Sequence, residues 1–395
     1  RLQGDWSSDV CSSDLFFYYP QFFERGILIM NNFRKTLLST AAMGLMTFSA
    51  VASASAADVE KKMAWSGFVN RTVITGDDGE NNFISHMDPV NVGQSRGRIK
   101  ASAKSESMEI GMLFEMGMTD GDMATQSASG GESMTVRHNA LYVSNSMGKL
   151  TVGHTSHAGE AYGASDVSGT SLATSYSATP YGDVLFNDAS NTVGAAASGV
   201  SAQTAHGGGY TGGRSNGVSY TTPKFNGFTA MVSHRTDASG SYNVKYGGNF
   251  NGVKLSAGYS YANLATAAGT AKTAATDYVH GAGVGIELPT GLNVSFSYRE
   301  EEKNSANTAP DGNTMMTKLG YKMTGLSDLG GTNVALMYKK AEDANATGDE
   351  YENVSLLFQQ SLSDYGTTVY GGYSNLSYDT TATNFDEIGR ASCRE

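Results

Sequence analysis

Cysteine is almost absent. Two occur in 395 residues, Cys11 and Cys393, one near each end. The interior therefore has no disulfide framework, thiolate metal site or cysteine nucleophile. Charge is scarce too, at 16% of residues against about a quarter in ordinary soluble proteins. No Lys/Arg-rich block exists and the net charge is −11, which makes nucleic acid a poor partner. Beyond residue 56 no apolar run is long enough for a transmembrane helix. What is abundant is glycine, 48 residues, and tyrosine, 21. That composition fits a β protein and argues against helical bundles and coiled coils.

The two ends differ from the rest. Ser7-Ser8-Asp9-Val10-Cys11 is followed by a near-duplicate, Ser12-Ser13-Asp14, and residues 388–395 read Ile-Gly-Arg-Ala-Ser-Cys-Arg-Glu. Both stretches resemble translated sequencing-adapter text, and residues 16–29 resemble untranslated sequence ahead of a start. Residues 1–29 and 388–395 are thus expected to contribute no fold. Met30 opens a basic segment through Lys35, then an apolar stretch over 37–48 and the small-x-small site Ala54-Ser55-Ala56. This is the layout of a secretory signal peptide, so residues 30–56 are expected to be cleaved on export and 57–387 to form the mature domain.

Period-two alternation fills that domain. Val253, Leu255, Ala257 and Tyr259 alternate with Lys254, Ser256, Gly258 and Ser260. Leu292, Val294, Phe296 and Tyr298 alternate with Asn293, Ser295, Ser297 and Arg299. Such strands have one apolar and one polar face. In a sandwich the apolar face would be the core; in a membrane barrel it meets lipid and the polar face lines water. Segments of about ten residues, wet-type polar faces of Gly, Ser, Lys and Arg, and connections that alternate short and long all favour the barrel. Tyrosines toward strand ends, such as Tyr242, Tyr261, Tyr338 and Tyr378, suit interfacial girdles. Fifteen strands can be counted, from 64–75 to 366–378. Single-chain bacterial barrels have an even number, so a sixteenth is expected near Phe385, where the adapter-like text takes over. The expected fold is an all-β, transmembrane antiparallel barrel of 16 strands whose last strand is missing from this chain.

Trp65-Ser66-Gly67-Phe68-Val69-Asn70-Arg71, with Gly76-Asp77-Asp78-Gly79 after it, resembles the first strand and loop of the Gram-negative general porin family. Ser146–Gly153 resembles that family's fifth strand, and Ala164-Ser165-Asp166-Val167-Ser168-Gly169-Thr170 the start of its constriction loop in the alphaproteobacterial type. The resemblance spans residues 64–378 and lies in the order and spacing of the motifs rather than in any one of them. It implies an outer-membrane homotrimer passing small hydrophilic solutes, with the long third external loop folded into the pore and no cofactor or catalysis.

Residues 155–213 form the longest connection, and loops of that size are usually functional or disordered. Folded inward, this loop carries Glu160 and Asp166 toward the lumen. Arg96, Arg98 and Lys100 share one face of the second strand, and Arg137 on the fourth adds to them. Basic wall against acidic loop would set a transverse field across the constriction. Glu109 and Glu115 point inward by the same parity, as candidates for pairing with these cations. His154 and His157 lack a third ligand, so no metal site is expected. Acidic outer loops could reach lipopolysaccharide through divalent cations, but solvated loop charge is the favoured account of them. Two other functions compete: a structural or adhesive barrel with a filled lumen, and a barrel hydrolase. The second lacks a G-x-S-x-G nucleophile motif.

Overall fold

The computed structural model describes residues 59–77, 82–87, 92–119, 133–160, 165–177, 179–181, 184, 186, 200–207, 214–236, 239–264, 276–303, 310–326, 328–344, 346–380 and 384–393. The segments 1–29 and 30–56 lie outside these residues.

Eighteen strand segments form one sheet. They are β1 (Glu60–Phe68), β2 (Thr72–Asp77), β3 (Asn82–Met87), β4 (Arg96–Lys104), β5 (Met108–Thr119), β6 (Ser133–Asn145), β7 (Gly148–Ser156), β8 (Arg214–Thr221) and β9 (Phe228–Arg235). They continue with β10 (Gly240–Phe250), β11 (Val253–Asn263), β12 (Thr276–Glu287), β13 (Leu292–Lys303), β14 (Asn313–Met323), β15 (Thr332–Glu342), β16 (Glu350–Leu362), β17 (Thr367–Asp379) and β18 (Asn384–Cys393). From β4 to β18 each strand pairs antiparallel with the next. β18 then pairs with β2, β2 with β3, and β1 with β4, which closes the ring.

The first strand was expected to run unbroken over 64–75. It is broken into β1 and β2, and its partner into β3 and β4. Between the pairs Phe68↔Arg96 and Thr72↔Met87, three residues face eight. Asn70 fills the mismatch. Its amide nitrogen Nδ2 donates to the carbonyls of Val92 and Gly93, and its backbone N–H donates to Ser95 Oγ. Its Oδ1 accepts from the Tyr370 hydroxyl on β17. One side chain thus satisfies backbone groups that the ladder leaves unpaired. β3, which the sequence placed in a loop, is the strand beyond this break. Joining the two broken strands reduces eighteen segments to 16.

The wall position expected to stand empty is filled, which corrects that part of the sequence reading. β18 pairs with β17 from Tyr373↔Ser392 to Asp379↔Asn384 with two breaks in register, and reaches β2 at Ser392↔Thr75 and Cys393↔Ile74. Residues 388–393, expected to contribute no fold, therefore lie in the sheet. The reason is the edge itself. The thirteen residues of β17 would present unpaired N–H and C=O groups, each costing several kcal/mol in lipid. Adjoining chain is drawn onto that edge even though it lacks alternation.

The faces are inverted relative to a water-soluble protein. Leu319, Leu336 and Leu356 are 53%, 53% and 60% exposed, while Lys318, Lys339, Asn353 and Ser355 on the opposite parity are fully buried. Apolar side chains point out and polar ones in, as a barrel in lipid requires. Among the described residues no helix is long and apolar enough to cross a membrane. Among these residues helix is confined to short turns such as Ala158–Glu160 and Ala202–Ala205.

Candidate functional site

The connection between β7 and β8 folds into the barrel and follows the wall one strand at a time, in chain order. At β8, His157 Nε2 lies 2.8 Å from Ser215 Oγ. At β9 the Ala158 N–H donates to Ser233 Oγ, at β10 Asn243 Nδ2 donates to the Ala158 carbonyl, and at β11 Ser260 Oγ donates to the Gly159 carbonyl. At β12 the Ser165 carbonyl lies over Gly285, where a Cβ would come within 2.0 Å of it. At β13 the Val167 N–H donates to Ser295 Oγ, and at β15 Asn333 Nδ2 donates to the Gly169 carbonyl. At β16, Asn353 Nδ2 donates to the Tyr181 hydroxyl. At β17 the Phe186 ring packs 5.0 Å from that of Tyr378.

Two fully buried lysines fasten the middle of the loop. Lys318 Nζ on β14 pairs with Asp166 Oδ2 at 2.8 Å and donates to the Thr174 carbonyl at 2.6 Å. Lys339 Nζ on β15 donates to the Tyr176 carbonyl at 2.6 Å. Burial pushes the Asp166 carboxyl up, but the Lys318 ammonium and the Ser168 hydroxyl and amide outweigh it and hold it below its usual range. Apolar contact adds to the polar anchors. Tyr181, Val184, Phe186, Val200, Ala202 and Ala205 of the loop join Ile74, Ala341, Tyr351, Leu376 and Tyr378 of the wall in one buried cluster.

Among the described residues the loop's hydrogen bonds and ring contacts to the wall run from β8 to β17, and the basic side chains stand on the strands outside that span, β4 to β6. Glu115 on β5 is their hub, its side chain fully buried. Arg137 Nε lies 2.8 Å and Arg96 NH1 3.4 Å from Glu115 Oε1, and Arg98 pairs with Oε2. Gln94 Oε1 accepts from Arg137 NH1 at 2.6 Å. A register shift in β6 opposite Glu115 and Met116 makes this possible: Glu115 pairs with His138 and Met116 with Val136, which leaves Arg137 extra. The bulge lets both Arg137 and His138 face the lumen, where His138 Nδ1 meets Thr155 Oγ1 at 3.0 Å. Three guanidinium groups on one carboxylate leave a net charge of two positive.

Of the residues singled out in the sequence, Arg96, Arg98 and Arg137 come together, and Lys100 follows them along β4 with an exposed side chain. Asp166 belongs to the other side of the barrel, bound to Lys318 rather than set against the arginines. Glu160 ends the turn Ala158–Glu160, and its side chain lies outside the described residues. Sequence reading did not single out Lys318, Lys339, Gln94, His138 or the β6 bulge. The two lysines carried a signal, since both sit on the polar parity of strong strands. The bulge carried none.

A sequence model described as Gram-negative porin matches residues 39–381. Among curated protein sequences none matches. The chain is similar in structure to an anion-selective porin from Comamonas acidovorans, at TM-score 0.55 and 16% identity over 85% of this chain and 99% of that one. It is also similar to the trimer form of OmpT from Vibrio cholerae, at TM-score 0.51 and 15% identity over 84% and 97%.

Proposed function

The chain belongs to the Gram-negative porin family and is an outer-membrane porin, a β-barrel forming a water-filled channel for passive diffusion, and from that premise we propose how its constriction works. The eyelet lies between the inserted loop and the wall of β4 to β6. Arg96, Arg98, Lys100 and Arg137 form its basic side, and Glu160 is its acidic side. Asp166 serves to hold the loop. The observation carrying this reading is that the loop is fixed to β8–β17, so the guanidinium cluster with its net positive charge faces the remaining opening. Anions are therefore favoured over cations. The Comamonas protein is described as anion-selective; the sign proposed here rests on this chain's own residues. We assign the protomer to a homotrimer in contact with lipopolysaccharide, exported by a cleaved signal peptide over residues 30–56, and without catalytic activity.

Reversal potentials in a salt gradient across planar bilayers test the eyelet. The unmodified channel is expected on the anion side, and replacing Arg96 and Arg98 with Ser should raise the cation-to-anion ratio. The shift should shrink as salt rises, since the Debye length falls from about 10 Å at 0.1 M to 3 Å at 1 M. A ratio unmoved by the substitutions removes the cluster from the eyelet.

A further inference from the structure

We infer a second anion-binding station on the same wall, formed by Lys100, Lys104 and Lys149 between the arginine cluster and the short-turn mouth, that takes small solutes carrying two anionic groups. It rests on the anion-preferring reading above and extends it from a sign of charge to a class of solute.

Position comes first. Arg98, Lys100 and Lys104 lie on one face of β4, and a strand rises about 3.4 Å per residue. Lys100 therefore follows Arg98 after about 7 Å and Lys104 after about 20 Å. Register brings in the third lysine: Lys104 faces Glu109, Glu109 faces Ser144 and Ser144 faces Lys149, one row across four strands. The turns closing this end, between β4 and β5 and between β6 and β7, are the short ones, which in outer-membrane barrels lie on the periplasmic side.

Charge balance and exposure together separate these lysines from other lumen cations; Lys339, which also has no carboxylate partner among the described residues, is fully buried against the loop. Lys318 has Asp166, Arg299 and Lys303 share Glu301, and the three arginines share Glu115. Among the described residues Lys100, Lys104 and Lys149 have no ion pair, and all three are exposed to the lumen. Two acids are in reach of their row and both are already engaged: Glu60 on β1, opposite Lys104, pairs with Lys62 at 2.9 Å, and Glu109 is held from the other side. The Tyr142 hydroxyl donates to its Oε1 at 2.6 Å. Tyr142 can lie along the wall because residue 111 is glycine: a Cβ there would come within 2.5 Å of the ring. Lys149 Nζ sits 4.2 Å from the centre of the Tyr142 ring, held over its face. The tyrosine thus occupies the carboxylate and orients an ammonium into the water.

The spacing favours a dianion. Screening confines each group to about one Debye length, 8 Å at physiological salt, so a monoanion meets one station at a time. A dicarboxylate is held by Arg98 with one group and by Lys100, about 7 Å further along the strand, with the other, while Lys104 and Lys149 keep the approach from the short-turn mouth positive.

The test uses the full chain in planar bilayers, with chloride carrying the current and succinate or acetate added on the short-turn side. Succinate should reduce the current saturably at concentrations where acetate does not. Replacing all three lysines (K100S/K104S/K149S) should raise the half-blocking concentration about tenfold, and E109Q, which removes the acid between Lys104 and Lys149, should lower it. Equal block by the two acids, or an unchanged half-blocking concentration in the triple variant, overturns the station. Should the triple variant not assemble, E109Q decides alone, and a value unchanged or raised overturns it. Failure of the anion-preferring reading would instead appear as a cation-side reversal potential of the unmodified protein without succinate.

Discussion

Lys318 and Asp166 form a pair in which each group makes the burial of the other tolerable. Removing one partner of a buried pair leaves the other uncompensated, at about 3–5 kcal/mol. Lys318→Met should therefore lower the unfolding temperature of the detergent-solubilised barrel and also raise single-channel noise, because the loop loses its central fastening. The same pair sets an acid limit. The Asp166 carboxyl is held below its ordinary range, so its contribution is complete above about pH 4 and is lost as pH falls through the lower folded value. His206 on the loop sets a second limit of the same sense. Burial, with Lys339 adding to it, holds its imidazole far below the usual value and so neutral; Tyr351 and Ser175 are its hydrogen-bond partners. A released loop takes up a proton on His206 below about pH 6.5 that the docked loop refuses, so docking weakens from there downward. Protease sensitivity of the loop against pH should show this upper limb, and H206Q should abolish it while leaving the Asp166 limb in place.

At the scale of the strand, parity decides what a substitution costs. Leu336 is near the middle of β15 and faces outward, so Leu336→Lys should destabilise the barrel by about 2–4 kcal/mol, whereas Ser256→Lys on the lumen face of β11 should cost little. Urea titration of folding into liposomes compares them, and equal penalties would refute the assigned faces. Gly285 matters for a different reason. A methyl group there collides with the Ser165 carbonyl, so Gly285→Ala should lift the loop from β12 and increase conductance, at about 1–3 kcal/mol of overpacking. Strand parity was legible in the sequence because a half-wet sheet writes it out residue by residue, as in Leu292 to Arg299. The break at Asn70 was not, because a bulge is set by pairing between residues more than twenty positions apart. The same limit hid Arg137 and His138 facing one side together, since strict alternation puts neighbours on opposite faces.

For the whole molecule, the sequence indicated a barrel with an inserted loop, and the structure has both. It also indicated that loop acids would oppose wall cations. Asp166 does not, because a carboxylate entering a buried seam takes the nearest ammonium, and Lys318 on the adjoining wall is closer in the fold than any arginine. Net charge was a poor guide as well. The chain carries −11 overall, yet the described lumen face of β4 to β6 is net basic, so bulk charge is no guide to the charge of that wall.

The loop's attachment in strand order has a consequence for how the chain assembles. Its partners are spread over ten strands, from Ser215 on β8 to Tyr378 on β17, and lie as far from it in sequence as Tyr378 does from Phe186, 192 residues. Contacts of such separation are slow to form, because the intervening chain must be ordered before any of them is gained. The loop therefore cannot settle before the strands that receive it are in place, and its insertion is a late event that reports completion of the wall. In a refolding time course into detergent, β-sheet circular dichroism should reach its plateau first. Resistance of residues 165–207 to protease should follow as a separate, slower phase, and Lys318→Met should delay that phase without slowing the first.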